Sequence, residues 1–398
     1  MDVALVWADA LAGYRFRPGH PLDPRRMRLT ADLIASMGLA GGPGRPVVAP
    51  RTATDDELHS VHDPAYVAAV QAASSDPSIE VDPTFGLGTD DVPVVPGMHQ
   101  MSAHAVGATL TAAELVASGR ALRAFNLAGG LHHAHAATAS GFCVYNDLAV
   151  AIRWLQREHG MRVLYLDIDA HHGDGVQSIF YDDPDVLTLS IHESGLYLFP
   201  ATGFLDELGE GDGFGFSANL PLEAQTEDSS YLAAFDRAVP PIAEAFRPDI
   251  IVLQAGCDTH MLDPLTHMRC STNLQEALVQ RTVELAERLC EGRVVATGGG
   301  GYAIFQVVPR AWTLTWAALC GEPAPDAIPE AWVRRAREES GEPVPAALRD
   351  PPGAIPPAPQ RDQIHRANEL TARTLKRRPR CRSRPSLPPT PSREREGE

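Results

Sequence analysis

The chain has few basic residues for its length. Its 398 residues include 34 Lys and Arg against 51 Asp and Glu, which gives a formal net charge of −17. This acidity argues against broad binding to nucleic acids or anionic membranes, and it suits cationic substrates. Long apolar runs are also missing: none approaches about 20 unbroken residues, so no membrane-spanning helix is expected. The first residues lack the basic and apolar regions of a secretory signal, so none is expected.

Cysteine is sparse and scattered. The six cysteines form no C-x-x-C pair, which argues against a disulfide framework and against a thiolate zinc site. Free thiols are typical of a reducing compartment, so we expect a cytoplasmic protein. No G-x-G-x-x-G loop follows an early strand, which disfavours a dinucleotide-binding oxidoreductase.

Short apolar, β-rich runs alternate with longer helical patterns as far as about residue 320. The candidate strands are 3–7, 121–127, 162–168, 186–191, 249–255 and 293–297. The candidate helices are 30–37, 65–73, 98–118, 144–159, 231–246, 274–290 and 304–320. This alternation predicts an α/β fold with a mainly parallel sheet. Most of the strands are apolar on both faces, as in a sheet covered by helices on both sides.

The composition changes after residue 320. We expect residues 1–320 to form one domain and residues 321–370 to form a Pro-rich, partly helical extension with a short helix near 331–339. Residues 371–398 combine nine Lys and Arg with three Glu and many Pro and Ser. That composition predicts a basic, disordered tail.

One strand end carries an unusual density of charge. The apolar run 164–166 continues as Asp167-Ile168-Asp169-Ala170-His171-His172-Gly173-Asp174. Charged side chains are rarely buried unless they are paired or bind a metal. Because side chains alternate along a strand, Asp167, Asp169 and His171 would share one face while the chain stays extended. We therefore favour a divalent metal site over the alternative, in which the acids cap the next helix.

Three other candidate strands also end in polar or glycine-rich clusters. His132 and His133 follow strand 121–127, and Asp258 follows strand 249–255. Tyr302 follows strand 293–297 after four glycines. The carboxyl ends of parallel strands lie on one side of a sheet, where open α/β sheets place their sites. The four clusters together predict one active site.

The residue types at these strand ends suit metal-assisted hydrolysis. Asp169, His171 and Asp258 form a set of three ligands that leaves a position open for water and substrate, as catalytic zinc requires. Because two of them are carboxylates, Fe(II) and Mn(II) stay open alternatives. His132 and His133 suit proton transfer to and from the reacting groups.

Several neighbours of these residues have two interpretations. Asp167 and Asp174 are spare carboxylates that would orient the histidines. Backbone bonding is the alternative for Asp167, and helix capping is the alternative for Asp174. On its glycine loop, Tyr302 would donate a hydrogen bond to an oxyanion, or it occupies an ordinary turn. Phe142 and Phe199 would line a slot for an alkyl chain, or they belong to the core.

Taken together, these motifs resemble the histone deacetylase superfamily, and within it the bacterial acetoin utilization deacetylases. The motifs are GGLHHAHAATASGFCVYND at 129–147, YLDIDAHHGDGVQSIFY at 165–181, QAGCDTHMLDP at 254–264 and TGGGGY at 297–302. They occur in the family's order and spacing. The resemblance covers residues 3–320, and the rest of the chain lies outside it.

The resemblance implies an arginase/deacetylase-like three-layer sandwich around a mainly parallel, eight-stranded sheet. It implies zinc on Asp169, His171 and Asp258, with His132 paired to Asp167 and His133 paired to Asp174. By analogy His133 is the main general base and acid, His132 is chiefly an electrostatic partner, and Tyr302 stabilises the oxyanion.

The resemblance also implies the substrate contacts and a second cation. Gly141, Phe142, Phe199 and Gly300 would contact the acyl-lysine, and Arg26 would lie behind the metal at an acetate exit. Asp91, or the adjacent Asp90, matches the acid at the rim that holds the substrate backbone. A structural potassium ion would use the residues Asp167, Asp169, His171, Ser190 and Ile191.

The expected reaction is zinc-dependent hydrolysis of the acetyl amide of N-ε-acetyl-lysine in proteins, giving lysine and acetate. The expected partner is an acetylated protein, with an acyl-CoA synthetase suggested by the acetoin-type relatives. Deacetylation of polyamines or another small amide is the alternative, although no obvious insertion narrows the entrance between residues 85 and 98. A non-catalytic binder of acetyl-lysine is a further alternative, which the retained acids, histidines and Tyr disfavour. The oligomeric state stays open.

Overall fold

A computed structural model describes residues 2–13 and 15–377. Within these ranges the chain forms an eight-stranded sheet in the order β2-β1-β3-β8-β7-β4-β5-β6. The strands are β1 (Asp2–Val6), β2 (Val47–Val48), β3 (Ala121–Asn126), β4 (Val163–Asp167), β5 (Val186–Glu193), β6 (Ser217–Leu222), β7 (Ile250–Gln254) and β8 (Val294–Thr297). All of their pairings are parallel, so the expected mainly parallel sheet is confirmed.

Eleven α-helices lie in the described part of the chain. They are α1 (Arg25–Ser36), α2 (Asp55–Leu58), α3 (Pro64–Ser75), α4 (Met98–Ala117), α5 (Asp147–His159), α6 (Asp174–Ile179), α7 (Asp228–Phe246), α8 (Thr272–Leu289), α9 (Val308–Cys320), α10 (Glu330–Ser340) and α11 (Arg361–Arg377). Within the described residues, no helix combines the length and apolar composition that crossing a bilayer would need.

The central strands are buried on both faces because helices cover both sides of the sheet. In β4, Leu164 and Leu166 pack in a core with apolar residues of α7, α8 and α9. Val163 and Tyr165, which point to the opposite face, pack in a second core with residues of α4 and α5. Successive side chains of a strand point to opposite faces of the sheet, and each face packs in an apolar core. The strands are therefore continuous apolar runs in the sequence.

The C-terminal extension packs on the domain. Trp332 and Val333 of α10 join a cluster with Leu33 of α1 and Leu314 of α9. The last helix, α11, contacts α7 and the edge strand β6, and its Ala372 and Leu375 are buried. Residues 371–377 are therefore helical, which corrects the expectation of disorder from residue 371. The remainder of the expected tail, 378–398, lies outside the described residues.

Candidate active site

The four strand ends that carry the chemical motifs are neighbours in the sheet. His132 and His133 follow β3, Tyr302 follows β8, Asp258 follows β7 and the acidic motif follows β4. These four strands lie side by side in the order β3-β8-β7-β4. Segments that are far apart in the sequence thus meet at the edge formed by the carboxyl ends of the strands, because parallel strands all end on that side of the sheet.

Three buried side chains form a compact cluster at this edge. The ligand atoms of Asp169, His171 and Asp258 lie within 4.8 Å of one another. His171 Nδ1 lies 2.9 Å from Asp258 Oδ2 and 3.2 Å from Asp169 Oδ1. The expected shared face with Asp167 is absent, because β4 ends at Asp167 and the chain then bends. The bend is held by the Asp169 N–H, which donates to Asp167 Oδ1.

The remaining carboxylate oxygens are already bonded to the protein. Asp169 Oδ2 accepts from Gln254 Nε2 and from the Gly300 N–H, each at 2.7 Å. Asp258 Oδ1 accepts from the Ala170 N–H at 2.7 Å. A Cβ at Gly300 would lie 2.0 Å from Asp258 Oδ2, so a larger residue would displace that carboxylate. Gly300 therefore lies directly against the carboxylates of the cluster, and its contact with substrate stays a prediction.

The electrostatics of this cluster favour a bound cation. Burial and the neighbouring charge of Asp169 raise the pKa of Asp258 to about 6. Burial lowers the pKa of His171, but the charge of Asp258 and hydrogen bonds to both acids raise it well above its ordinary value. Two carboxylates that repel each other and draw a positive charge onto the imidazole between them are suited to a divalent metal. Asp169 Oδ1, Asp258 Oδ2 and His171 Nδ1 are the atoms that would hold it.

Two histidine–carboxylate pairs stand beside the cluster. His132 Nδ1 lies 2.8 Å from Asp167 Oδ2, and His133 Nδ1 lies 2.7 Å from Asp174 Oδ1. Asp167 also accepts a hydrogen bond from the Asp169 N–H, so it has the backbone-bonding role that the sequence offered as an alternative. Asp174 is the first residue of α6, but Gly173 is the N-cap and makes no side-chain bond there, so the capping alternative is not realised.

The two histidines have opposite electrostatic environments although their ring centroids are only 4.1 Å apart. Burial lowers the pKa of His132, but the charges of Asp167 and Asp169 outweigh burial and raise it to about 9. Burial and the charge of His132 lower the pKa of His133 to about 4. The surroundings of His132 therefore favour the protonated ring, whereas those of His133 favour the neutral ring.

Tyr302 is held by its backbone in the loop after β8. Its N–H donates to Asp263 Oδ2 at 2.7 Å. Burial and the charge of Asp258 raise the pKa of its phenol well above the ordinary range, so the hydroxyl keeps its proton. The guanidinium carbon of Arg26 lies 5.7 Å from the centre of the Tyr302 ring. Arg26 is 4% exposed, and it donates to the carbonyl oxygens of Gly299 and Gly301.

The expected channel residues lie beside His133 and Tyr302. The Phe142 ring lies 5.8 Å from the Tyr302 ring, and the Phe199 ring lies 5.0 Å from the His133 ring. The Gly141 N–H donates to Asp91 Oδ2 at 2.7 Å. Asp90 instead points to solvent and pairs with Arg17. Asp91 is thus the acid that contacts this loop.

A sequence model of the family described as "Histone deacetylase domain" matches residues 20–319, which is most of the chain. The chain belongs to the histone deacetylase family. This deacetylase is 44% identical over 371 residues to the acetoin utilization protein AcuC of Bacillus subtilis (strain 168), covering 93% of this chain and 95% of that protein. It is 43% identical over 321 residues to the AcuC protein of Staphylococcus aureus (strain MRSA252), covering 80% of this chain and 82% of that protein.

Solved structures of histone deacetylase homologues share the fold of this deacetylase. The crystal structure of a homologue from Aquifex aeolicus superposes with a TM-score of 0.82 at 32% identity, covering 93% of this chain and 100% of that one. A homologue complexed with SAHA gives a TM-score of 0.83 at 31% identity with the same coverage. The expected deacetylase fold and the expected hydrolase class are confirmed.

The residues expected to hold potassium lie at the junction of β4 and β5 of this deacetylase. Asp167 pairs with Ser190 across the two strands. The Ser190 hydroxyl is 2.8 Å from His192 Nδ1, and the Ile191 carbonyl oxygen accepts from the Tyr231 hydroxyl. The strand pairing places Asp167 beside Ser190, and potassium stays a prediction.

Three supporting residues of the deacetylase site escaped the sequence analysis. Gln254 holds Asp169, Asp263 holds the Tyr302 backbone, and Asp147 accepts from the backbone N–H groups of the loop before His132. Gln254 had a visible signal, because it is a polar residue that ends an apolar strand at the predicted edge. Asp147 reads as an ordinary acid in the first turn of a helix, and only the folded chain shows which loop it binds.

Proposed function

We propose that this deacetylase depends on zinc and removes acetyl groups from N-ε-acetyl-lysine side chains of proteins, releasing lysine and acetate. The observation that carries the proposal is the meeting of a buried three-ligand cluster, two histidine–carboxylate pairs and a protonated Tyr at one sheet edge. No other group of three or more such ligands was found among the described residues.

Asp169, His171 and Asp258 would hold the zinc ion. Zinc in such a site lowers the pKa of water and polarises a carbonyl oxygen. Zinc is preferred because its catalytic sites take three protein ligands, and Fe(II) is the alternative that two carboxylates accommodate. Structural potassium at Asp167, Asp169, His171, Ser190 and Ile191 is part of the same proposal.

His133 is the proposed general base and then the general acid. Its Nδ1 is engaged with Asp174, so the neutral ring carries its proton there and leaves Nε2 to accept one from the attacking water. The same Nε2 then returns the proton to the departing lysine amine. His132, whose protonated form is favoured by Asp167 and Asp169, would contribute positive charge beside the reacting carbonyl.

Tyr302 is the proposed donor to the oxyanion. Its phenol remains protonated, and its backbone is fixed by Asp263. One good oxyanion donor is worth about 10²–10³ in kcat. Phe142 and Phe199 are proposed to line the slot for the methylenes of the acyl-lysine.

The surroundings of the slot support a protein substrate. Phe199 is 46% exposed, and in the same loop Leu196 and Tyr197 are 72% and 48% exposed. Exposed apolar groups beside a buried reaction centre favour a broad partner surface over a small polyamine. The relatives are named for acetoin utilization, which supports a metabolic protein as substrate, and we propose an acetylated acyl-CoA synthetase.

Metal-stripped protein assayed on two substrates tests the proposal. We expect zinc to restore hydrolysis of an acetyl-lysine peptide, and we expect turnover of acetylputrescine to be much slower. Fe(II) and Mn(II) added separately would identify a different metal preference. No gain with any of the metals would refute metal dependence, whereas faster turnover of acetylputrescine would refute the protein substrate. A His133→Ala protein that kept full activity would refute the assigned base.

A further inference from the structure

We infer that the C-terminal extension helps to position the loop that carries Asp258, and that Asp350 is the positioning residue through which it acts. The inference rests on the proposed zinc dependence. The region matched by the family model ends at residue 319, and Asp350 lies beyond it. The catalytic motifs therefore do not predict the contact between Asp350 and the loop that carries Asp258.

His260 lies at the centre of the loop in question. Its Nδ1 accepts from the Leu262 N–H at 3.1 Å, and its carbonyl oxygen accepts from the Asp263 N–H at 2.8 Å. Asp258 is two residues before His260, and the Asp263 carboxylate holds the Tyr302 backbone. The position of His260 thus bears on both a metal ligand and the oxyanion donor.

Asp350 holds His260 from outside the matched domain. Because Nδ1 of His260 is an acceptor, its Nε2 carries the proton and donates to Asp350 Oδ2 at 3.0 Å. The same oxygen accepts from the Thr272 N–H at 2.9 Å, and Oδ1 accepts from Arg310 at 2.7 Å. One carboxylate, 13% exposed, therefore ties the loop to the first residue of α8 and to α9.

Loss of this carboxylate would release His260 and leave a buried cation without its partner. Arg310 is only 1% exposed. Mutating a residue that holds a metal ligand in place typically changes metal affinity or activity by about 10–100-fold. We expect about a tenfold effect on zinc affinity and on kcat. KM should change by less than about twofold, because the described side-chain bonds of Asp350 go to His260, Thr272 and Arg310 and not to the aromatic residues of the slot.

Asp350→Asn compared with Arg349→Gln tests the inference. Arg349 anchors the same segment, but its described side-chain bonds go to Glu276 on α8, at 2.7 and 2.6 Å, and to Ala324 and Asp326 rather than to the loop. Zinc dissociation constants would be measured by competition with a chelating dye, and kcat and KM with an acetyl-lysine peptide. We expect Asp350→Asn to weaken zinc binding and lower kcat, and we expect Arg349→Gln to match the parent.

Two substitutions of His260 keep the test decisive if Asp350→Asn fails to fold. An Asn side chain places its oxygen near the position of Nδ1 and loses Asp350, whereas a Gln side chain reaches toward Asp350. His260→Asn should therefore resemble the loss of Asp350, and His260→Gln should recover much of the parent's zinc affinity.

Parent-like zinc affinity and kcat in both Asp350→Asn and His260→Asn would overturn the inference, and the same result in His260→Asn alone would overturn it if Asp350→Asn does not fold. An equal loss in Arg349→Gln would overturn it as well, because the effect would then be general loosening of the segment. A parent protein that binds no zinc refutes the proposed zinc dependence instead, and kcat alone then decides between the variants.

Discussion

At the scale of single residues, the two adjacent histidines are distinguished by charge. The pKa of His132 is raised to about 9 and that of His133 is lowered to about 4, partly by the charge on His132. Activity should therefore fall on the acid side as His133 is protonated and on the alkaline side as His132 loses its proton. A bound cation lowers both pKa values. The acid and alkaline limbs of the pH–activity profile should therefore have midpoints at or below these two values.

Replacing His132 by Asn tests this coupling. Removing a positive charge beside His133 raises the pKa of His133, so the acid limb should move to higher pH, and the alkaline limb due to His132 should disappear. Profiles of kcat/KM between about pH 4 and pH 10 would show both changes. An acid limb that stays in place would contradict the assignment of opposite charges to the two rings.

Asp169 and Asp174 should have separable effects although they are five positions apart. Asp169 belongs to the metal cluster, whereas Asp174 bonds His133 and His135. Asp169→Asn should weaken zinc binding by at least about tenfold, and Asp174→Asn should retain zinc while slowing turnover about tenfold or more. Metal content and the rate per bound zinc measure the two effects. Loss of zinc with an unchanged rate per bound metal in Asp174→Asn would contradict this division.

The residue types of the site could be predicted from the sequence, but the directions of the side chains could not. Asp167, Asp169 and His171 were expected on one face because the pattern continues an extended strand. The bend after Asp167 sends that carboxylate to His132 and the other two to Asp258. The bend depends on a hydrogen bond within the motif and on contacts across the sheet. Neither can be predicted from the alternation of apolar and polar residues along the sequence.

At the scale of elements, six strands could be predicted because they alternate between two apolar cores. The two that escaped prediction are β2, only two residues long, and β6, which contains Pro221. Both are edge strands, where pairing is one-sided and Pro is tolerated. In β6, Ser217 and Asn219 turn inward to Gln177, so polar residues occupy a buried face.

Helix α11 should stabilise the fold through one buried polar side chain. Asn368 is 1% exposed and bonds the Glu223 N–H, the Thr226 hydroxyl and the Ser230 hydroxyl. Asn368→Ala leaves these groups unsatisfied and should lower the free energy of unfolding by about 2 kcal/mol. Arg373→Ala, which removes a pair with Glu369 on the exposed side of the helix, should cost less than about 0.5 kcal/mol. Urea unfolding curves that gave equal losses would argue against this docking.

At the scale of the whole molecule, the net charge of −17 should steer substrate capture. Peptides with Lys or Arg around the acetyl-lysine should have a kcat/KM that falls several-fold between low and high salt, because salt screens long-range attraction. Peptides with flanking Asp or Glu should show the opposite trend, and kcat should change little for either. The same salt response for both peptides would show that the charge is too evenly spread to matter.

The position of β8 in the sheet also sets the order of events during synthesis of the chain. This strand is made last of the eight, yet it lies between β3 and β7 and joins two groups of strands. Until β8 has been made, the strands before it in the sheet order and the strands after it cannot be joined through it, and His132 and Asp258 belong to different groups. Gly300, which holds Asp169, follows β8 and appears later still. The complete catalytic site, with His132, Asp258 and Tyr302 together, can therefore form only after most of the chain has been made, so its assembly depends on late closure of the sheet.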